Sequence, residues 1–502
     1  MTSVPHQPEA GPARVAAAPW RLAMAALLII LSAKIALVAS FGSIVPFWDQ
    51  WDDEAVRTYR PYLDGSLSLD GLLIPHNEHR LVLTRLLNLT VLEVVGHWDP
   101  ILQMLLNALL HCAALGVVLA MLLRGLPPRR AALFAGATAL VFVIPYAREN
   151  TLWGFQSQIY FLLLLSLLAL WCMAAGRAWS PRWWLGVLLG VLAYFGMASG
   201  ALVFLAAAAL HAVQMLLRRR GGRAEAIGIA ALLATGLLLI RWVPTVEGHA
   251  PLKADSLGGF LAMFGRNAGW PLNLGLPGAI IVSLPGAALA WRLWRERPMP
   301  ADIRWLILLL ILWAGLQAAA MAWARATGAP APRYLDILAL GLLANLAALL
   351  RLPWTWLRRA APAWLAILAL GAAVAAARLP RDLHRHHEWS VAHAEVISAF
   401  LRSGDPAVFE GRQGPQELPY PTADRLHGVL ADPVLRRLLP PVSSGFPAPD
   451  RASRWLTDPR WGAAAQGARQ AALASPPLLF GLALVLLAWW VRTNARRPRA
   501  GG

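Results

Sequence analysis

The sequence predicts an all-α protein: a polytopic membrane bundle of about twelve transmembrane helices, with a large first outer loop of surface helices and a small late outer segment. Three observations predict this fold. Of the 502 residues, 58% are hydrophobic and 14% are charged, against roughly 25% charged in ordinary soluble domains. Apolar runs of roughly 20 residues, the length that crosses a hydrocarbon core, recur along the whole chain. Every second loop between them carries a cluster of arginines, as cytoplasmic loops do.

The apolar runs place the individual spans. A run from 183 to 217 is too long for one span, and the Ser199-Gly200 pair inside it predicts a tight turn between two helices. Residues 81–96 hold Arg85 and Glu93, and counting them as a span would put the arginine clusters outside, so they predict an amphipathic helix on the outer membrane surface. The predicted spans are 20–41, 101–123, 131–147, 159–175, 183–198, 201–217, 226–243, 274–293, 305–323, 334–350, 363–377 and 477–491.

The arginine clusters also set the expected topology, with both termini in the cytoplasm of a bacterial cell and the protein in its inner membrane. The net charge of +18 resides mostly in these loops, so it predicts no nucleic-acid partner. The two cysteines lie in apolar runs and do not indicate a disulfide framework. The expected divisions are a cytoplasmic tail (1–19), a transmembrane bundle (20–378) that includes the outer loop 42–100, an outer segment (379–475), and a last span with a basic tail (476–502).

Carboxylates are concentrated in the outer loop 42–100, which has nine acidic residues against four arginines. If Asp49 is the N-cap of a helix, Asp52 and Asp53 lie beside it on one face. Such a cluster, with Glu54 next to it, can hold a general base of raised pKa or a divalent metal ion. The alternative is an acid-rich helix start that only complements the helix dipole.

A second polar group in the same loop is His76-Asn77-Glu78-His79-Arg80, which we place at the start of the surface helix. The two histidines, three residues apart, can face one ligand, and the arginine offers a planar fork for phosphate. The alternative is helix capping and anchoring at the membrane interface. As a metal motif the spacing is weak, because zinc-binding helices usually place two histidines four residues apart.

Further polar residues are expected near this loop. Gln103, Asn107 and His111 recur every four residues along one face of the second span, where they line a cavity or hold helices together. Cations at other span ends, among them Lys253 and Arg333, are predicted to face the same outer surface, and Tyr334 follows Arg333 directly. Charged groups near hydrocarbon are energetically costly and are often functional, so these cations are candidate phosphate ligands.

This pattern resembles the GT-C superfamily of integral-membrane glycosyltransferases. The resemblance is carried by the many spans, by the acids of 49–54 soon after the first helix, and by the surface helix 81–96. It implies a donor sugar on a polyprenyl phosphate, an outward-facing active site, and a glycan, lipid or protein acceptor. The chain lacks a simple Asp-x-Asp triplet, so the resemblance leaves it undecided whether a divalent metal cation is a cofactor.

The resemblance implies a role for each candidate residue. A carboxylate takes the proton of the acceptor hydroxyl or amine, and arginines hold the leaving phosphate. The candidate catalytic residues are Asp49, Asp52 and Asp53; the candidate donor-phosphate ligands are Arg80, Arg333 and Lys253; the candidate substrate-cavity residues are Glu54, His76, Asn77, Glu78, His79, Gln103, Asn107 and Tyr334. The alternatives are a transporter or flippase of lipid-linked or polar solutes, and a surface-polysaccharide polymerase or ligase whose catalytic loop is 380–475.

Overall fold

The computed structural model describes residues 19–328, 330–440 and 452–495. This part of the chain is helical and contains no β-strand, which confirms the all-α prediction. The predicted tails at 1–18 and 496–502 lie outside the described residues.

Ten helices of the described chain are long and apolar enough to cross a membrane. This confirms a multi-pass helical membrane protein but not the predicted count of twelve. The difference is Pro128–Val143 and Pro181–Gly196, which are helical as expected but have 16 residues each, about 24 Å of helix. The ten are Trp20–Phe41, Pro100–Leu122, Gly154–Ala175, Ala198–Leu216, Arg223–Arg241, Leu276–Glu296, Ile303–Ala324, Pro332–Leu349, the stretch Arg359–Ser403 and Pro476–Asn494. That stretch is divided between two helices, Trp354–Ala376 and Leu379–Ser403, of which the first is the apolar one.

The bundle packs through small residues where helices approach closely. Gly186 and Gly190 share one face of Pro181–Gly196, and a Cβ on Gly190 would lie 2.7 Å from the ring of Phe204. Because lipid is as apolar as the helix surfaces, such close van der Waals contact replaces the hydrophobic effect as the source of association. The predicted break at Ser199-Gly200 is confirmed: a 3₁₀ turn separates the two helices, and a Cβ on Gly200 would lie 2.4 Å from backbone atoms.

The first loop is built from short helices. A π-helix spans Gln50–Tyr59, and α-helices follow at Arg60–Asp64, Leu69–Leu73 and Val82–Val95. The predicted helix at 81–96 is thus present, and it ends at Gly96, whose φ of 86° favours glycine.

The first loop and the late segment form one structure, which we call the cap. The late helices are Leu379–Ser403, Ala423–Ala431, Pro433–Leu438 and Pro459–Ala474. Trp51 and Trp98 of the loop, in edge contact at 5.4 Å, share a hydrophobic core with Phe400 and Leu426 of the late segment. Glu93 accepts three backbone N–H bonds from 454–456. The two outer segments, treated separately in the sequence, therefore fold together.

Candidate functional site

A cavity of about 260 Å³, here the small cavity, lies where the first loop meets the bundle. It brings together many of the predicted residues: Asp49, His76, Asn77, Glu78, His79, Arg333 and Tyr334. The other polar residues on its wall are Gln156, Gln158, His249 and Arg325. Carboxylate, imidazole and guanidinium groups from four separate stretches of chain thus face one space.

Asp49 stands at the outer end of a row of alternating charged and polar groups. Its Oδ1 lies 3.4 Å from His76 Nε2, and His76 Nδ1 lies 3.6 Å from Asp53 Oδ1. Asp53 in turn receives a two-pronged contact from Arg85, and both of these side chains are 1% exposed. Of the two aspartates in the row, Asp49 lines the cavity and Asp53 does not, so Asp49 is the carboxylate of the row that a ligand meets.

The expected clustering of three aspartates on one face is wrong. Asp49 has helical φ and ψ and its side chain makes no capping hydrogen bond, so it is not an N-cap. The helix that follows is a π-helix, whose wider turn changes which residues share a face. Asp49 and Asp53 therefore both reach His76, whereas Asp52 accepts a hydrogen bond from Tyr420 at 2.6 Å and pairs with Arg425 in the cap.

The His76–His79 segment forms a turn rather than the start of a helix, so that expectation is also wrong. The backbones of His76 and His79 pair in both directions, at 2.8 and 3.0 Å, and Asn77 between them has a φ of 51°. The helix begins later, at Val82. The turn nevertheless presents all four of its side chains to the small cavity.

Glu78 holds one of the two arginines of the cavity. Both of its oxygens lie 3.2 Å from the guanidinium of Arg325, and His249 Nδ1 lies 2.7 Å from its Oε1. Burial raises the pKa of Glu78, but the hydrogen bonds from Arg325 and His249 outweigh it and lower the pKa to about 2. Burial lowers the pKa of the neighbouring His79 to about 4. At neutral pH Glu78 is therefore charged and His79 is neutral.

Arg333 is the more available arginine. Its guanidinium bonds to the partly exposed Glu149 at 3.3 Å and lies 5.5 Å from the ring centroid of Tyr334. Its backbone carbonyl accepts from Asn150 at 2.8 Å. Asn150 also donates to the buried Asp336 at 2.9 Å. A fixed backbone with a lightly paired guanidinium suits the binding of an incoming anion.

Several buried polar atoms around the small cavity have no hydrogen-bond partner among the described residues. They are Nδ1 of His79 and the amide oxygens of Gln156 and Gln158. The ring nitrogens of His76 make no hydrogen bond within the described chain either, but each faces an aspartate, at 3.4 and 3.6 Å. Buried polar groups are nearly always hydrogen-bonded, and an exception calls for a cause such as a functional role. Three such atoms on one small wall suit a ligand that donates hydrogen bonds.

A second cavity of about 460 Å³, here the large cavity, lies beside the first. Trp48, Trp153 and Arg333 line both cavities. Its remaining wall comes from the start of the first loop, from 148–152 and from the helix Leu379–Ser403 of the cap.

Glu54 lies in a buried polar cluster behind the cavities. It accepts from Trp98 at 2.8 Å, Gln103 at 2.9 Å and Gln50 at 3.3 Å, and Gln50 also lines the large cavity. Burial raises the pKa of Glu54 to about 7, although these hydrogen bonds act in the opposite direction. A carboxyl group that titrates near neutrality next to a cavity is typical of functional sites.

Replacing Glu54 by Gln is expected to change how stability depends on pH. The folded protein holds a proton on Glu54 up to about pH 7, whereas the unfolded chain releases it near pH 4.5. Raising the pH from 5 to 8 therefore lowers the free energy of unfolding of the wild type by about 2–3 kcal/mol, a loss that Glu54→Gln does not share. The depressed pKa of His79 acts oppositely, because its stabilisation is lost as pH falls from 6.5 towards 4, so only the difference between variant and wild type isolates Glu54.

Thermal unfolding in detergent at pH 5 and pH 8 checks this prediction. The exposed Glu388→Gln is the matched control and is expected to follow the wild type at both values. Parallel pH dependence of Glu54→Gln and wild type would contradict the assignment of a raised pKa.

Other predicted site residues lie away from both cavities. Arg80 stacks on Trp242, 4.3 Å from its ring centroid, and Lys253 lines neither cavity. Gln103 and Asn107 are buried, the former bonded to Glu54 and the latter to the carbonyls of 153 and 154. The polar face of the second span therefore holds the structure together behind the site.

Arg325 is the functional candidate that sequence reasoning missed. It directly follows the helix Ile303–Ala324 and so falls in a loop predicted to lie outside, where cations are unusual. The position of Arg325 in an outer loop is visible in the sequence. The pairing of Arg325 with Glu78, 247 residues away, is a tertiary contact that the sequence does not indicate.

No group of three or more His, Cys, Asp or Glu side chains in the described ranges has the arrangement of a metal site. Comparison of the chain with family models, curated proteins and solved structures produced no match.

Proposed function

We propose that this protein is a GT-C-type membrane glycosyltransferase, which moves a sugar from a polyprenyl-phosphate donor to an extracytoplasmic hydroxyl or amine. One observation carries the proposal: Asp49 and Arg333 line the same small cavity, whose wall has several unpartnered polar atoms. Glycosyl transfer with a phosphate leaving group needs a carboxylate that acts as the base and a cation that binds the phosphate. Asp49 and the lightly paired Arg333 are such groups.

Asp49, Arg333 and His76 can together support a nucleophilic displacement at the anomeric carbon of the donor. Asp49 takes the proton from the acceptor as its oxygen or nitrogen bonds to the anomeric carbon. The bond from that carbon to the phosphate oxygen breaks, and the polyprenyl phosphate leaves with the electron pair. Arg333 stabilises the charge that grows on this phosphate, while His76 positions Asp49.

The proposal extends to topology. Pro128–Val143 and Pro181–Gly196 are short spans that complete the twelve, both termini are cytoplasmic, and the cap faces the periplasm or the exterior of a bacterial inner membrane. The arginine-rich loops on the opposite side from the cap support this orientation. Nucleotide sugars are not expected beyond that membrane, which favours a lipid-linked donor.

A second candidate, a transporter or flippase, is favoured by ionisable residues buried within the candidate spans. Lys34 bonds to Thr151 at 3.1 Å, and His111 Nε2 lies 3.9 Å from Asp336 Oδ1. Such residues are typical of ion and proton pathways. A flippase would move a lipid-linked sugar between leaflets without cleaving the bond from sugar to phosphate.

Membranes that contain the protein, supplied with labelled polyprenyl-phosphate sugars, test the proposal. Arg333→Ala is expected to lower the initial rate of transfer about 10²–10³-fold, because one preorganised charge donor is removed. Arg266→Ala is the matched control, since Arg266 is exposed and lines neither cavity. Wild-type transfer by Arg333→Ala, or movement of the lipid with its sugar–phosphate bond intact, would overturn the proposal.

A further inference from the structure

We propose that the large cavity binds a carbohydrate, and, on the basis of the proposed function, that this carbohydrate is the acceptor of the transferred sugar. The inference rests on aromatic residues and charged hydrogen-bonding residues that together line one cavity of about 460 Å³. That volume lies within the range of small-molecule sites.

The aromatic wall is formed by Phe47, Trp48, Trp153 and Trp389. Phe47 stacks on His393 with ring centroids 5.6 Å apart and 17° between planes, and meets Trp153 edge-on at 5.5 Å. The faces of a pyranose ring carry C–H groups whose slightly positive hydrogens are attracted to the negative face of an aromatic ring. This wall therefore suits a sugar ring.

Two of these aromatic residues are held in place by their backbones and side-chain bonds. Trp153 Nε1 donates to the carbonyl of Phe47 at 2.9 Å. Trp48 has a φ of 55°, a left-handed conformation that is strained for a bulky residue, and its N–H donates to the carbonyl of Pro419 at 2.7 Å. Strain of this kind persists where the surroundings impose it, often at ligand sites.

The same cavity also offers both donors and acceptors for hydroxyl groups. Arg148 and Asp382 pair at 3.3 Å while each stays about one-fifth exposed, and Glu149 and Arg333 pair beside them. His386 Nε2 is buried without a hydrogen-bond partner among the described residues. Together with the third arginine of the wall, Arg385, these charges of both signs supply donors and acceptors that suit the hydroxyl groups of a carbohydrate.

The position of the large cavity assigns the carbohydrate its role. Trp48, Trp153 and Arg333 line both cavities, so the large cavity adjoins the small cavity that Asp49 lines. A hydroxyl of that molecule is the natural nucleophile for a sugar held in the small cavity.

Saturation-transfer difference NMR on the purified protein tests binding without any donor. The probes are maltose, cellobiose and N,N′-diacetylchitobiose, with the peptide Gly-Ser-Gly for comparison, in a detergent that has no sugar headgroup. We expect saturation of the pyranose C–H protons by the wild type, about tenfold weaker binding by Trp389→Ala, and wild-type binding by Trp184→Ala, which alters an exposed tryptophan outside the cavity.

The outcomes separate this inference from the proposed function. Saccharide binding that depends on Trp389 supports a carbohydrate site in the large cavity even if membranes transfer no sugar, a result that would overturn the proposed function and with it the acceptor role. Absence of binding by every saccharide, equal binding by Trp389→Ala and wild type, or binding of the peptide alone overturns the inference even where transfer is observed. Trp389→Phe, which keeps an aromatic face, is expected to restore part of the binding lost in Trp389→Ala.

Discussion

Asp49→Asn is expected to lower sugar transfer by about 10²–10⁴-fold, the usual contribution of a general base, whereas Asp52→Asn keeps most of the activity. The two residues lie three positions apart on one helix but face different surroundings. Asp49 lines the small cavity beside His76, while Asp52 is bonded to Tyr420 and Arg425 in the cap. Initial rates of transfer from a labelled polyprenyl-phosphate sugar measure the difference.

The pair is its own control, because both variants replace one carboxylate by an amide in the same helix. Equal amounts of protein and equal unfolding temperatures establish that both are folded. Loss of transfer in Asp52→Asn with full activity in Asp49→Asn would place the base beside Tyr420 and Arg425 and contradict the assignment of the small cavity.

Arg85→Met is expected to destabilise the protein by about 3–5 kcal/mol, because it leaves Asp53 as a buried charge without its partner. Arg85 also donates to the carbonyls of Leu72 and Ile74, at 2.7 and 2.6 Å, so the chain before the His76–His79 turn loses its support. The double variant Asp53→Asn with Arg85→Met removes the charge and is expected to recover about 2 kcal/mol.

Thermal and denaturant unfolding measure these differences. Arg57→Met is the matched control, since Arg57 is exposed and makes one bond to the same loop, at 3.2 Å to Pro75. We also expect the folded double variant to retain measurable transfer, because Asp53 acts through His76 and does not line the cavity. A double variant as unstable as Arg85→Met, or a stable one with no transfer at all, would contradict this role for Asp53.

The sequence predicts much of the fold because its signals are local. Run length and apolar content depend only on the residues themselves, and the tight turn at Ser199-Gly200 follows from a glycine that the backbone crossing requires. The two 16-residue helices have the same composition signal but a shorter extent. The length of an apolar run does not determine how distant segments pack. The sequence therefore does not predict that the first loop and the late segment fold together into one cap.

The sequence predicts which segments of the chain meet at the candidate site, but it identifies only some of the individual residues that line it. That Asp49, the His76–His79 segment and Arg333 meet in one cavity agrees with the expected gathering of outer-loop acids and cations. The face on which each aspartate lies depends on a π-helix, which no spacing rule for α-helices describes. Arg80 and Lys253 have the same charge as Arg333, and only tertiary contacts separate them from the cavity.

In the proposed mechanism, the small cavity holds the donor between Asp49 and Arg333. Cryo-electron microscopy of the protein with a polyprenyl phosphonate sugar, in which a methylene group replaces the bridging oxygen and transfer is blocked, tests it most directly. We predict sugar density within the small cavity, a phosphonate oxygen about 3 Å from the Arg333 guanidinium, and the Asp49 carboxylate on the other side of the anomeric carbon. A phosphonate bound away from Arg333, with the small cavity empty, would contradict it.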